Sequence, residues 1–164
     1  MKLSLDPDGR LMAVIRIKGR IGLKPKVRKT LELLRLKRKF YATVVPYMPE
    51  IRGMLQVAKD AITFGEIDKE TLKLLLGKRG RTYGDKKVDW EEMIKNLNMQ
   101  SMDELCEALL SGKIRIKDIP GLKPYFRLTP PSGGFKGSTK KSFKEGGETG
   151  YRGQEINKLL RRMV

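Results

Sequence analysis

Apolar and polar residues alternate along residues 12–18 (MAVIRIK), which is the two-residue period of a strand. Ala13, Ile15 and Ile17 fall on one side, Arg16 and Lys18 on the other. Residues 19–22 turn the chain. Pro25 then suits the first turn of a helix, where its missing N–H has no partner to lose. Val27, Leu31 and Leu34 recur at i, i+4 and i+7, an apolar helical stripe. Lys26, Arg28, Lys29 and Arg35 lie largely off it. Lys37, Arg38 and Lys39 follow, where the negative end of the helix dipole favours cations. Residues 40–45 are aromatic and β-branched, a buried strand. Pro49 opens a second helix with Ile51, Met54, Leu55 and Ala58 on one face. Residues 61–67 (AITFGEI) read as a third strand. The order is β-α-β-α-β, an α/β or α+β unit with helices on one face of a small sheet.

Beyond residue 68 the period becomes helical. Asp68 caps a helix over 69–76 that is expected to stop at Gly77. Asp89 with Glu92, and Ser101 with Glu104, have capping-box spacing. Trp90, Met93, Ile94 and Leu97 form one stripe; Met102, Leu105 and Leu109 form another. Residues 124–153 show neither period and are rich in Gly, Pro, Ser and Thr. That length predicts disorder or a functional extension. Ile156, Leu159, Leu160 and Met163 regain helical spacing. Such a terminal amphipathic helix needs a surface to cover, so it is expected to return to the body and pin the preceding segment as a large loop. The domains read as a core over 1–68, a helical extension over 69–112, and a basic Gly-rich loop with its helix over 113–164.

Charge sharpens these divisions. The chain of 164 residues carries 36 Lys and Arg against 19 Asp and Glu, a net charge of +17 with no histidine. Residues 1–68 are net +8, residues 69–112 neutral, and residues 113–164 net +9. Two cationic blocks flank a neutral middle, which implies an acidic partner. Nucleic acid leads and an anionic membrane comes second. No stretch approaches the ~20 apolar residues of a membrane span. The opening MKLSLDPDGRLM lacks a continuous apolar run, so no signal peptide is expected. One cysteine, Cys106, allows no intrachain disulfide, and with no histidine there is no usual zinc cluster. Cys106 falls in an apolar-periodic stretch and reads as core.

Catalytic signatures are missing. There is no GxxxxGK[ST], GxGxxG or GxSxG, and the commonest general base is absent. Cation clusters remain. Arg16, Lys18, Arg20, Lys24, Lys26, Arg28, Lys29, Arg35, Lys37, Arg38 and Lys39 crowd the first block, with Arg52 beyond. Gly19 and Gly22 match the GxxG of KH domains, but that motif joins two helices and here a strand precedes it. The loop 77–87 (GKRGRTYGDKK) carries Lys78, Arg79, Arg81, Lys86 and Lys87 with one acid, and Tyr83 offers a stacking face. In 123–153, Lys123, Arg127, Lys136, Lys140, Lys141, Lys144 and Arg152 interleave with Tyr125, Phe126, Phe135, Phe143 and Tyr151. Those rings are open to two readings, base stacking and packing on the body. A near-repeat also stands out: IRIKGRIGLKP at 15–25 and IRIKDIPGLKP at 114–124 agree at eight of eleven positions. Nothing downstream repeats, so a duplicated domain is not expected. Both copies read as a short segment that buries isoleucines, sends Arg and Lys outward and then turns.

The stretch MAVIRIKGRIGLKPKVRKTLELLRLKRKFYATVVP resembles the large-subunit ribosomal protein family numbered thirty (the universal uL30 family), in its long archaeal and eukaryotic form. GKRGRTYGDKK and KEGGETGYRGQEINKLLRRMV also resemble that form, so the likeness spans essentially the whole chain. Thr129 departs from the His expected in many relatives. The resemblance implies an α+β, ferredoxin-like core with a three-stranded antiparallel sheet and two helices. It implies assembly into cytoplasmic ribosomes with large-subunit rRNA, near the 5S rRNA, and with other ribosomal proteins. It implies no catalysis, cofactor, membrane or small-molecule substrate. The residues alone support RNA, and leave open a free RNA-binding or chaperone module and an RNA-modifying enzyme.

Overall fold

Strand β1 (Leu11–Arg16) is buried along its whole length, because sheet neighbours flank it on both sides and helices cover both faces. This computed structural model describes residues 11–164; the opening MKLSLDPDGRLM, where no signal peptide is expected, lies almost wholly outside them. The strand ends at Arg16, short of the expected Lys18, and the amides of Ile17 and Lys18 both donate to the Ala61 carbonyl. Helix α1 (Pro25–Leu33) begins at the predicted proline. It stops because Arg35 takes a left-handed φ of 67° while the Leu36 amide returns to the Leu31 carbonyl at 2.8 Å. Lys37, Arg38 and Lys39 lie beyond the helix's C-terminal end, in the turn to β2 (Tyr41–Pro46). Helix α2 (Pro49–Ala58) and strand β3 (Ile62–Glu66) complete the predicted order.

Helix α3 (Lys69–Arg79) runs straight through Gly77, the expected stop. A Cβ at Gly77 would meet nothing within 4 Å, so that glycine marks no constraint. The constrained glycine is Gly80, where a Cβ would lie 2.6 Å from the Leu76 carbonyl oxygen and 2.9 Å from the Trp90 ring. Helix α4 (Trp90–Asn96) and helix α5 (Met102–Ser111) follow. All three predicted caps form. Asp68 accepts from the Thr71 amide at 2.7 Å, Asp89 from Glu92 at 3.3 Å, and Ser101 from Glu104 at 3.2 Å.

The irregular third segment is ordered against the core. Strand β4 (Phe126–Arg127) adds antiparallel to β2, and strand β5 (Gly150–Tyr151) adds parallel to β3. The sheet order is β4-β2-β1-β3-β5. Its centre, β2-β1-β3, is the expected three-stranded antiparallel sheet. Helix α6 (Ile156–Met163) buries Ile156, Leu159, Leu160 and Met163. It pins the preceding chain, since the amides of Thr129 and Ser132 donate to the carbonyls of Met163 and Arg162, each at 3.0 Å.

Helices cover both faces of the sheet, not one. Val14 and Ile62 pack with Leu31, Leu34, Leu55 and Ala58 beneath α1 and α2. Ala13, Ile15, Ile17 and Val44 form a second core with Leu72, Leu76, Leu105, Cys106, Leu109 and Leu160. The helical extension and the C-terminal helix supply that second cover, so all three segments share one core.

Candidate nucleic-acid interface

The end of the sheet where β1 stops and β2 starts gathers cations from distant parts of the chain. Phe40 is the junction. Its amide donates to the Arg16 carbonyl at 2.7 Å, and its carbonyl accepts from the Leu128 amide at 3.1 Å. Lys39 lies over its ring at 5.0 Å, and Phe135 packs against that ring at 6.2 Å. Next in the strand, Tyr41 pairs with Arg127 across the sheet and stacks on Tyr125 at 5.2 Å. Lys39, Arg127 and Phe135, which precedes the 136–144 loop, are thus all placed at the start of β2, on its two faces.

The loop after α3 is docked beside them. The Thr82 amide donates to the Lys86 carbonyl at 2.9 Å, closing the loop on itself. The Lys123 amide then donates to Arg81 at 2.9 Å, which ties the loop to the turn after the second IRIK. Asp85, the one acid in this stretch, pairs with Lys123 and, at 3.0 Å, with Arg127. The Lys123 hydrogen bond, aided by the charge of Arg127, holds the Asp85 carboxyl below its ordinary pKa. The same bond raises Lys123 above its own. Lys78, Tyr83, Lys86 and Lys87 are exposed, whereas Arg79 and Arg81 are half-buried. Arg81 donates to the carbonyls of Lys78 and Gly80.

Along α1 and its flanks, Arg20, Lys24, Lys26, Arg28, Lys29, Arg35, Lys37, Arg38 and Lys39 are exposed and Lys18 is half-buried. Arg16 is not on this surface: it is only 3% exposed. The alternation does place it opposite Ile15 and Ile17, but α1 and its closing turn cover that face. Its Nε donates to the Lys18 carbonyl and its Nη1 to the Leu36 carbonyl, both at 2.8 Å.

Arg152 is the second misplaced cation. It is 8% exposed, bonded to Thr63 Oγ1 at 2.7 Å and paired with the buried Glu148 at 2.9 Å. Its guanidinium lies 4.8 Å from the Phe143 ring. Together these groups close the 137–152 loop, with the Gly137 amide donating to Glu148 at 2.7 Å. Lys136, Lys140, Lys141 and Lys144 stay exposed on that loop. Arg52 and Tyr151 lie elsewhere, on a hollow of about 250 Å³ with Tyr47, Phe64 and Glu66.

Four of the five aromatic rings of the third segment pack on the body, and Phe143 packs on Arg152 of its own loop. Phe126 is fully buried, Tyr125 stacks on Tyr41, Phe135 meets Phe40, Phe143 meets Arg152, and Tyr151 tilts against Phe64 at 5.8 Å. Tyr151 also keeps 51% of its surface exposed and Tyr83 keeps 67%. The two IRIK copies differ in form. The first spans the end of β1, while the second enters a short 3-10 turn, Ile116–Asp118. The second buries Ile116 and exposes Arg115 and Lys117 as expected; the first breaks the expectation at Arg16. Thr129, the departure from the family pattern, donates its hydroxyl to the Met163 carbonyl at 3.0 Å.

Sequence reasoning missed the acids Glu32 and Asp85, which stand among the cations. Asp85 was visible as one carboxylate in a run of basic residues. Nothing in the local pattern signalled Glu32.

An α+β sheet protein with cations from three sequence regions gathered at one sheet end is of the polyanion-binding, scaffold-like class. Comparison with known proteins makes that class specific. The sequence model of the family described as Ribosomal protein L30p/L7e matches residues 12–62. The protein named large ribosomal subunit protein uL30 in Staphylothermus marinus is 50% identical over 163 residues, covering 96% of this chain and 99% of that one. The proteins of the same name in Korarchaeum cryptofilum and Nanoarchaeum equitans are 48% and 47% identical, covering 94% of this chain and 95% and 99% of their own lengths. The chain belongs to the uL30 family of large ribosomal subunit proteins.

Proposed function

We infer that this chain is a non-catalytic structural constituent of the large ribosomal subunit, where it binds and stabilises large-subunit rRNA. One observation carries the reading: cations far apart in sequence converge around Phe40 and Tyr41 on a family fold matched over nearly its whole length. Lysine and arginine at such a surface neutralise backbone phosphates and release counterions, which gives affinity with little base specificity. The exposed members of the predicted set form the contact surface, and Arg152 serves it from within by holding the 137–152 loop closed. The finer position, beside the 5S rRNA and among other large-subunit proteins in cytoplasmic ribosomes, follows from the family resemblance. Among the described residues no helix is long and apolar enough to cross a membrane.

Sedimentation of cell extracts through high-salt gradients tests the assignment. The chain is expected to travel with the large subunit, and crosslinking with RNA sequencing is expected to recover large-subunit rRNA with 5S rRNA nearby. Sedimentation with free RNA alone would favour a chaperone-like module. Recovery of large-subunit rRNA without 5S neighbours would remove the finer position only.

A further inference from the structure

Arg16 poses a specific chemical question. Its guanidinium has three nitrogens, and two are bound to backbone carbonyls. The third, Nη2, is buried and has no hydrogen-bond partner. A buried donor without a partner is costly, and a charged one more so. Arg16 also lines a hollow of about 480 Å³ whose other walls are Arg20, Arg28, Lys37 and Glu32. Four cations and one carboxylate face that space. Among the described residues none of Arg20, Arg28 and Lys37 is held in an ion pair, so the cations there are not neutralised from within. Burial, and then the nearby charge of Arg20, push the Arg16 pKa down.

The walls come from elements that the core fixes independently. Arg16 ends β1, Arg28 and Glu32 stand one turn apart on α1, and Lys37 sits in the turn set by Arg35 and Leu36. Arg16 holds the two sides together by donating to Leu36 on one and to Lys18 on the other. Such a frame is preorganised, and an arginine fork is well shaped for an oxyanion. The hollow exceeds the size of a single phosphate, leaving room for the sugars on either side.

We propose that Arg16, Arg20, Arg28 and Lys37 form a discrete pocket for one phosphate oxyanion, and that its occupant is a backbone phosphodiester of RNA. Assigning the occupant to RNA rests on the rRNA-binding reading above; the pocket's affinity for a phosphate oxyanion does not. Glu32 limits that affinity and favours an occupant held at several points over a freely diffusing ion. The arrangement makes Arg16 a buried anchor in place of the surface cation its alternation suggested.

Two titrations of the full chain test this. In the first, inorganic phosphate is added while NMR follows the Arg16 Nε–H resonance. A saturable shift is expected, lost in the Arg20→Ala/Arg28→Ala double variant and reached at lower phosphate in Glu32→Gln. All three replaced side chains are exposed, so the fold should persist. In the second, binding to large-subunit rRNA is compared for the chain, that double variant and Lys59→Ala/Lys158→Ala, which removes equal charge elsewhere. The pocket variant should lose roughly tenfold in affinity and flatten the salt dependence by about one phosphate, and the control far less. No saturable shift with phosphate would overturn the pocket. Saturation by phosphate with unchanged rRNA affinity would assign it to a free anion and overturn the backbone assignment. Equal losses in the pocket variant and the control would reduce the effect to net charge and overturn it too. If the unaltered chain failed to bind rRNA, the functional reading would fall, and the phosphate titration would still decide the pocket.

Discussion

Arg16 and Arg152 show what a residue's neighbours in sequence conceal. Both follow the local rules for exposed cations, yet both are buried because other parts of the chain cover them. For Arg152 the cover includes Glu148 at 6% exposure and Thr63 on β3. Replacing Arg152 with Met removes the partner of a buried carboxylate, so stability should fall by about 3–5 kcal/mol. Urea unfolding measures this directly; a loss under ~1 kcal/mol would mean that Glu148 is solvated. Cys106 is the opposite case, a residue whose pattern disclosed its environment. It is fully buried, and burial raises its thiol from 9.0 to about 11. The thiolate is the reactive form, so the native protein should resist thiol reagents at pH 8 until it is unfolded. The same shift gives a sign for stability: the folded state holds the proton more tightly, so this contribution is complete below pH 9 and declines as pH rises toward 11. Rapid native labelling at pH 8 would contradict the placement.

Elements with several periods of pattern were legible, and those with fewer were not. The α1 and α2 helices start at the predicted prolines, and all three capped helices start at the predicted caps. Strands β4 and β5 have two residues each, too few to show alternation, and their registers are set by distant partners. The large 124–153 segment therefore carries no periodic pattern, although both sheet edges receive it. Gly77 misled for a related reason: a glycine ends a helix only when the backbone needs it, and the need lies at Gly80. The role of α6 followed from its amphipathic spacing alone. Leu159, 2% exposed, sits in its buried stripe. Leu159→Asp should undock the helix and free the segment joined to it through Thr129 and Ser132, visible as new proteolytic cleavage within 129–150. An unchanged digestion pattern would show that the sheet edges hold that segment without the helix.

For the whole molecule, the two basic blocks seen in sequence come together at the start of β2. They would repel one another in a compact chain, and docking the third segment brings Arg127 and Phe135 to the β2 strand near Lys39. Which cations are free to meet a partner was not legible, because Asp85 engages two of them and the Arg81 side chain bonds its own loop. Lys86 and Lys87 are the exposed test of that loop. Replacing both with Ala should leave stability within about 0.5 kcal/mol and weaken rRNA binding alike across sequences. Unchanged affinity would remove the loop from the contact surface.

The most direct measurement is the affinity of the purified chain for large-subunit rRNA over a series of salt concentrations. With a surface that neutralises several phosphates, affinity should fall linearly on logarithmic axes, by a thousandfold or more between roughly 50 and 200 mM salt. Affinity that ignores salt, or no binding near physiological ionic strength, would contradict the account.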